Sequence, residues 1–571
     1  MPSAARRRAG NVFAALAGLL LALMAAEAAT RLLWDSAPPA GGRADTLPLM
    51  RVPDPGVLYR LVPGSSGIYS GTQIQVNSLG LRDRDYAIPR PPGIERVLVL
   101  GDSMVFGVGV RPEETLPGQL GRFLAPAEVI NAGIFGYNLD QEISMLEEVG
   151  PRYRPDVVIS CFVHNDIDNW GLGEGGAVPE IRSSRFDPPP ADLWSSRLAS
   201  LLLADPFDAD RLNLLPAAGG VRGWLAAHSR LYLFSYTRLR THSWSMTSGE
   251  QANPIVAAPT CQSRAVIWEP LRQRYRRLRE TTERLGATLR VVILGGALWE
   301  GRPLARLHDT LRQEGIPFLD LTPLWSDRQH YARTWSLGWD PHPNAQAHEL
   351  AADLVARFVK ATRGSRAGPE ADAADPYAAI RERPELGQGI DEWRQRQATR
   401  ALEDDRALAG SGRSLSAVVD FGSPDPGRLA PQILYGFWEP GAGPDPGVAG
   451  QGRWMSSRGA VLLGWAEGAS RVEIELRSPM RGIDRVRTPR SVTITAGIPL
   501  GSCARVSQET RLEAGERWQI VTVPLDTLGE SPDRGPIELE LIAAPFEATL
   551  LGAGGRDPRL VSLIVRRIAV R

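Results

Sequence analysis

Lysine is almost missing from this chain. Lys360 is the only one, and the other basic residues are arginines. Lysine plus arginine number 65 and aspartate plus glutamate 65, so the formal net charge is +0. No basic stripe stands out, which excludes a nucleic-acid partner gripped through its phosphates. The preference for arginine reads as base composition, not as a phosphate-binding device. Cysteine is also scarce. Cys161, Cys261 and Cys503 are far apart and show no metal-ligand spacing, and their odd number leaves at least one thiol unpaired. Cys161 falls in an apolar strand and reads as a small core residue. No motif asks for a metal or an organic cofactor, and no internal repeat is present.

Only the N-terminus carries a long apolar run. Arg6, Arg7 and Arg8 precede apolar residues from Val12 to Ala26; Glu27 and Arg31 follow, then Leu32, Leu33 and Trp34. The uninterrupted part is shorter than the ~20 residues that span a bilayer. Two readings are open, a cleaved signal peptide with Ala26-Glu27-Ala28 as the cleavage site, and an uncleaved anchor. The apolar residues resuming after Arg31 favour the anchor. In both, the arginines stay in the cytoplasm and the rest is exported, to the periplasm or the cell surface.

At 571 residues two or more domains are expected. Residues 1–35 read as the anchor and 36–94 as a stalk with irregular β segments. Residues 95–362 alternate buried-strand and amphipathic-helix patterns. The strands are expected at Arg96–Leu100, Glu128–Asn131, Asp156–Phe162, Leu289–Leu294 and Pro317–Leu321. The helices are expected at Leu116–Leu124, Gln141–Val149, Glu269–Leu285, Pro303–Glu314 and Ala345–Val359. Such alternation predicts a doubly wound parallel sheet between two helical layers, with its ligand site beyond the carboxyl ends of the strands. Residues 171–260 interrupt it as a long insertion, either a lid or membrane-facing flap or a packed subdomain. Residues 363–413 are charged and poor in apolar residues and read as a linker, with a possible helix around Ile390 to Leu402. From 414 to 571 short alternating strands separated by turn residues predict an antiparallel β-sandwich.

Four short stretches carry chemistry: Gly101-Asp102-Ser103 after the first strand, Asn131-Ala132-Gly133-Ile134-Phe135-Gly136 after the second, Val163-His164-Asn165-Asp166 after the third, and Asp340-Pro341-His342-Pro343-Asn344 before the last helix. Ser103 supplies a hydroxyl at a helix N-terminus; alone it would equally be an N-cap. His342 is a base that accepts that proton and returns it to a leaving alcohol, with Asp340 to orient the ring. The plainer alternative is a surface histidine beside a turn-forming aspartate. The Ser103 and Gly136 backbone N–H groups and the Asn165 amide suit a developing oxyanion; otherwise Gly136 is a turn and Asn165 a helix cap. Asp166 reads as a cap, and His164 and His348 as structural.

These blocks, in this order, resemble the SGNH hydrolases, or GDSL-type esterases, over about Arg96 to Val359. The resemblance implies a flavodoxin-like three-layer fold and metal-free esterase or acyltransferase chemistry. One departure stands out: many members carry aspartate three residues before the histidine, where this chain has Trp339, and Asp340 lies two before. The stretch Asn77-Ser78-Leu79-Gly80-Leu81-Arg82-Asp83 looks like that of a bacterial membrane-anchored branch linked to surface polysaccharides; two readings are open for Arg82 there, a reach into the site and a surface salt bridge, and the salt bridge is favoured. Tyr435-Gly436-Phe437-Trp438-Glu439, Gly452-Arg453-Trp454 and Asp557-Pro558-Arg559 are similar to those of sandwich modules in glycan assembly. The expected function is therefore an anchored serine esterase for O-acyl, chiefly O-acetyl, groups on a surface glycan or another small ester. The rivals are an O-acyltransferase using the same residues and a non-catalytic glycan-binding protein.

Overall fold

The computed structural model describes residues 4–33, 49–51, 59–69, 72–163, 166, 228–232, 234–235, 267–295, 301–327, 330–331, 334–337, 342–363, 375–422, 432–437, 451–478, 490–497, 505–513, 517–528, 536–543, 546–547, 560–561 and 563–571. Five parallel strands form the centre: β1 (Arg96–Gly101), β2 (Glu128–Gly133), β3 (Val157–Phe162), β4 (Thr288–Ile293) and β5 (Phe318–Asp320). Their spatial order is β2-β1-β3-β4-β5. Leu98 lies opposite Ile130 on one side and Val158 on the other. The strands are mainly apolar because helices cover both faces, and Val97, Leu98, Val99 and Leu100 are fully buried. The strand order reverses beside β1, which opens a crevice at the carboxyl ends of β1 and β3.

The N-terminal helix is α1 (Ala4–Leu33). In the α/β part follow the single turn α2 (Ser103–Phe106), α3 (Leu116–Phe123), α4 (Leu139–Tyr153), α5 (Glu269–Arg284), α6 (Arg302–Gln313) and α7 (Ala345–Ala361). α3 packs on α7, and α4 and α6 pack on α5, giving the two outer layers. Helical spacing explains the burial: on α6, Leu304, Leu307 and Leu311 face the core. Arg274–Asp140 at 2.6 Å and Arg277–Glu147 at 3.1 Å tie α5 to α4 on the outside.

Two segments depart from the expectations. Residues 59–83 pack on the domain: Tyr59–Leu61 pairs with Leu49–Arg51, Ser66–Tyr69 pairs with Thr72–Gln75, and Leu61, Ile74 and Leu81 are buried in the same core as the sheet. The segment read as a linker is structured from Asp375 onward. Tyr377, Ile380, Ile390 and Trp393 are buried in that core, and α8 (Ile390–Ser414) packs on α6. Tyr377 Oη donates to Asp320 Oδ2 at 2.7 Å, and His308 Nε2 bonds the same oxygen at 3.0 Å. Composition misleads here because a few aromatic and aliphatic side chains carry the burial while the charged ones stay in water.

The C-terminal strands are β6 (Val418–Asp420), β7 (Ile433–Phe437), β8 (Arg453–Leu463), β9 (Arg471–Arg477), β10 (Arg490–Gly497), β11 (Arg505–Leu512), β12 (Gln519–Pro524), β13 (Ile537–Ala543) and β14 (Leu563–Val570). All pair antiparallel in the order β11-β10-β13-β8-β14-β9-β12, with β6 on β14 and β7 on β8. β8 serves two layers: Arg453–Met455 pairs with β14, and Arg458–Leu463 with β13. Alternate residues such as Val472, Ile474 and Leu476 on β9 and Val492 and Ile494 on β10 point into one shared core, the pattern of a β-sandwich.

α1 contains a 21-residue stretch, Phe13–Leu33, long and apolar enough to cross a membrane, and none of it is buried in the protein. Its two charges pair, with Arg31 Nε donating to Glu27 Oε1 at 2.7 Å. The same residues hold a piece of the 171–260 insertion. The Glu27 carboxylate accepts from Ser229 Oγ at 2.8 Å and from the backbone N–H groups of Arg230 and Leu231 at 2.9 Å, and Arg31 Nη2 donates to the His228 carbonyl at 2.7 Å. Apart from 228–232 and 234–235, the insertion lies outside the described residues.

Candidate active site

β1 ends at a glycine because no side chain fits there. A Cβ on Gly101 would lie 2.3 Å from Val105 Cγ2. The chain then turns directly into α2, whose N-cap is Asp102, not Ser103: Asp102 Oδ1 accepts from the Met104 N–H at 2.9 Å. Gly107, at φ 82°, closes the turn, its N–H on the Ser103 carbonyl at 3.0 Å. Ser103 is thus the first residue of a one-turn helix and half-buried at the edge of the sheet. Gly133 at the end of β2 lets α2 lie close, since a Cβ there would sit 2.6 Å from the Phe106 nitrogen.

His342 comes from the loop between β5 and α7. An isolated bridge pairs Ser336 with Pro343, and the Leu337 N–H donates to the His342 carbonyl at 2.9 Å. Asn344 pins the loop. Its Oδ1 caps α7 through the Ala347 N–H at 3.0 Å, and its Nδ2 donates to the Thr334 and Ser336 carbonyls at 2.9 and 3.1 Å. So held, His342 Nε2 stands 2.9 Å from Ser103 Oγ, across 239 residues of chain. With the ring proton on Nδ1, Nε2 is an acceptor for the hydroxyl. Asp102 Oδ2 is a second, longer acceptor at 3.3 Å.

Gly136 lies exposed in the loop after β2, beside the carboxyl end of β1. The Ile134 N–H donates to the Gly101 carbonyl at 3.0 Å, and the Tyr137 N–H to the Ile134 carbonyl at 3.1 Å. Gly136 has φ +71°, a conformation that favours glycine. Asn165, Asp340 and His164 lie outside the described residues. Asp166 is buried and closes the end of β3, its Oδ2 accepting from the Val163 N–H at 2.8 Å.

Other candidates fall into structural places. His348 is buried on α7, and burial, with His342 and Arg82 nearby, pushes it down to about 3, so it is neutral. Cys161 is a free, buried thiol that burial pushes well up; Cys261 and Cys503 lie outside the described residues. Arg82 corrects the surface-salt-bridge reading. It is 1 % exposed, forms no ion pair among the described residues, and donates to the carbonyls of Phe106, Gly107 and Val110 at 2.7, 2.5 and 2.6 Å. Burial pushes it down to about 10, so it keeps its charge. Sequence reasoning missed this role, and that of Tyr59, whose hydroxyl donates to the Phe135 carbonyl at 2.5 Å. The only signal for Arg82 was the compact Asn77–Asp83 motif; Tyr59 had none. Among the described residues, no group of histidine, cysteine, aspartate and glutamate side chains is placed to hold a metal ion.

A hydroxyl in contact with an imidazole, at the start of a helix and beside a glycine loop, is equipped for nucleophilic attack with proton transfer. The model of the GDSL-like lipase/acylhydrolase family matches residues 99–350. No curated protein sequence matches the chain. Among solved structures, TesA is similar at 12% identity and TM-score 0.25, over 47% of this chain and 99% of its own. A two-domain esterase (CEX) active on acetylated mannans is similar at 11% identity and TM-score 0.25, over 84% of this chain and 90% of its own. A putative lipolytic protein of the G-D-S-L family from Desulfitobacterium hafniense DCB-2 is similar at 13% identity and TM-score 0.25, over 46% of this chain and 98% of its own.

Proposed function

We propose, for a chain whose residues 99–350 belong to the GDSL-like lipase/acylhydrolase family and make it an ester-bond hydrolase, that Ser103 is the nucleophile and His342 its base. Ser103 Oγ attacks the ester carbonyl while Nε2 takes its proton. The carbonyl oxygen becomes an alkoxide, received by the backbone N–H groups of Ser103 and Gly136 and the amide of Asn165. Asp340 steadies the resulting imidazolium. Collapse expels the alcohol, which takes the proton from Nε2. Water then attacks the acyl-serine, again with His342 as base, and releases the acid. The single observation that carries this reading is the 2.9 Å contact between Ser103 Oγ and His342 Nε2.

For the substrate we propose an O-acyl group, chiefly O-acetyl, on a cell-surface glycan. What supports it is an apolar N-terminal helix suited to anchor the protein in the inner membrane, with the catalytic domain exported, and an appended β-sandwich. The test incubates the full chain with acetylated oligosaccharides and follows free acetate and acetyl transfer to an added oligosaccharide separately. Acetate release that Ser103→Ala abolishes is the expected result. Transfer without release would replace hydrolase by acyltransferase, and release that survives Ser103→Ala would remove Ser103 from the chemistry.

A further inference from the structure

The nucleophile and the Gly136 loop are both braced by residues outside the stretch that matches the family. We infer that Tyr59 and Arg82 are positioning residues for the reaction proposed above, an inference that rests on that reading.

Tyr59 acts on the oxyanion loop. Its Oη donates to the Phe135 carbonyl at 2.5 Å, its ring stacks on Phe135 at 5.6 Å and 26°, and its own carbonyl accepts from Tyr137 Oη at 2.6 Å. Both neighbours of Gly136 are therefore tied to one residue. The Phe135 carbonyl and the Gly136 N–H are the two ends of a single planar trans peptide and point in opposite directions. Fixing the carbonyl with a phenol thus aims the N–H, and the same bond polarises it into a better donor. The hydroxyl also packs directly against the glycine: a Cβ on Gly136 would lie 2.9 Å from Tyr59 Oη.

Arg82 acts on the other partner. Asn77 Oδ1 accepts from the Leu79 and Leu81 N–H groups at 3.0 and 2.9 Å, folding a tight turn that sends Arg82 inward. The guanidinium fork then takes three carbonyls at and beyond the end of α2 and lies 4.8 Å from the Phe106 ring centre. α2 is one turn long, so holding its last carbonyls holds Ser103 at its start. An arginine is required because its planar fork meets several acceptors at once.

The test uses the full chain and two conservative variants. Tyr59→Phe keeps the ring stack and removes only the hydroxyl; Arg82→Lys keeps the charge and removes the fork. Each is expected to lower kcat on p-nitrophenyl acetate, and the rate of Ser103 inactivation by a fluorophosphonate, by about tenfold. KM should stay within about twofold, and Tyr59→Phe should melt where wild type does. Wild-type kcat and inactivation rates in both variants would overturn the inference and leave the parent reading standing. So would losses that only track a lowered melting temperature. A wild-type chain that the fluorophosphonate does not label would sink the parent reading and this inference with it.

Discussion

Glu142 lies fully inside the protein, on α4 against β3, where its Oε2 accepts from Ser160 Oγ at 3.0 Å. Burial pushes its pKa up to about 8, against about 4.3 for a free glutamate. The sign follows from linkage. The folded state holds this proton where the unfolded chain has lost it, so the protein loses stability as pH rises from about 4.3 through about 8. Glu142→Gln, which mimics the neutral acid, is expected to melt above wild type at pH 8.5, with the difference closing below pH 4. Equal melting temperatures across that range would show that Glu142 is ionised without cost. Nothing in the sequence marks this residue, since Glu142 reads as one of several charges on an amphipathic helix. That Ser103 and His342 would meet, as they do at 2.9 Å, was legible because their residue types and flanking strand and helix signals agree. Arg82 was misread because a lone arginine gives no sign that carbonyls, rather than a carboxylate, receive it.

The elements of the α/β domain were legible for a physical reason. Strands buried on both faces must be continuous apolar runs, and helices buried on one face must repeat at 3.6 residues. The loops were less so. The sequence leaves Ser103 as a possible N-cap, and the structure gives that task to Asp102. Asn344 shows how much one loop residue can do: it caps α7 and pins two carbonyls of the loop that carries His342. Asn344→Ala is expected to cost about 1–2 kcal/mol of stability and to lower kcat more than it changes KM, because the imidazole loses its mooring. Chemical denaturation together with steady-state kinetics on p-nitrophenyl acetate checks both parts. An unchanged kcat in a destabilised variant would separate the loop from the chemistry.

At the scale of the whole molecule, the change from parallel α/β alternation to short alternating strands was visible in the sequence, because the two architectures bury side chains with different periods. The packing of residues 59–83 and 375–401 onto the first core was not. It depends on contacts such as Tyr59 with Phe135, 76 residues apart, and Tyr377 with Asp320, 57 apart, which no local pattern encodes. The same holds for α1 and the insertion. Glu27 lies within the candidate cleavage site, and in the structure it receives Ser229, Arg230 and Leu231. A chain that keeps α1 is expected to retain its N-terminus in the membrane fraction, as read by intact mass. Cysteines placed by Glu27→Cys and Ser229→Cys should cross-link on mild oxidation. A mature chain beginning beyond residue 28 would establish the cleaved leader instead.

The account turns on whether His342 activates Ser103, and covalent labelling tests that directly. A fluorophosphonate probe should modify wild type at one site, mapped by peptide mass to Ser103, and His342→Ala should react at least about a hundredfold more slowly. Labelling elsewhere, or labelling of Ser103 at the same rate without the imidazole, would contradict it.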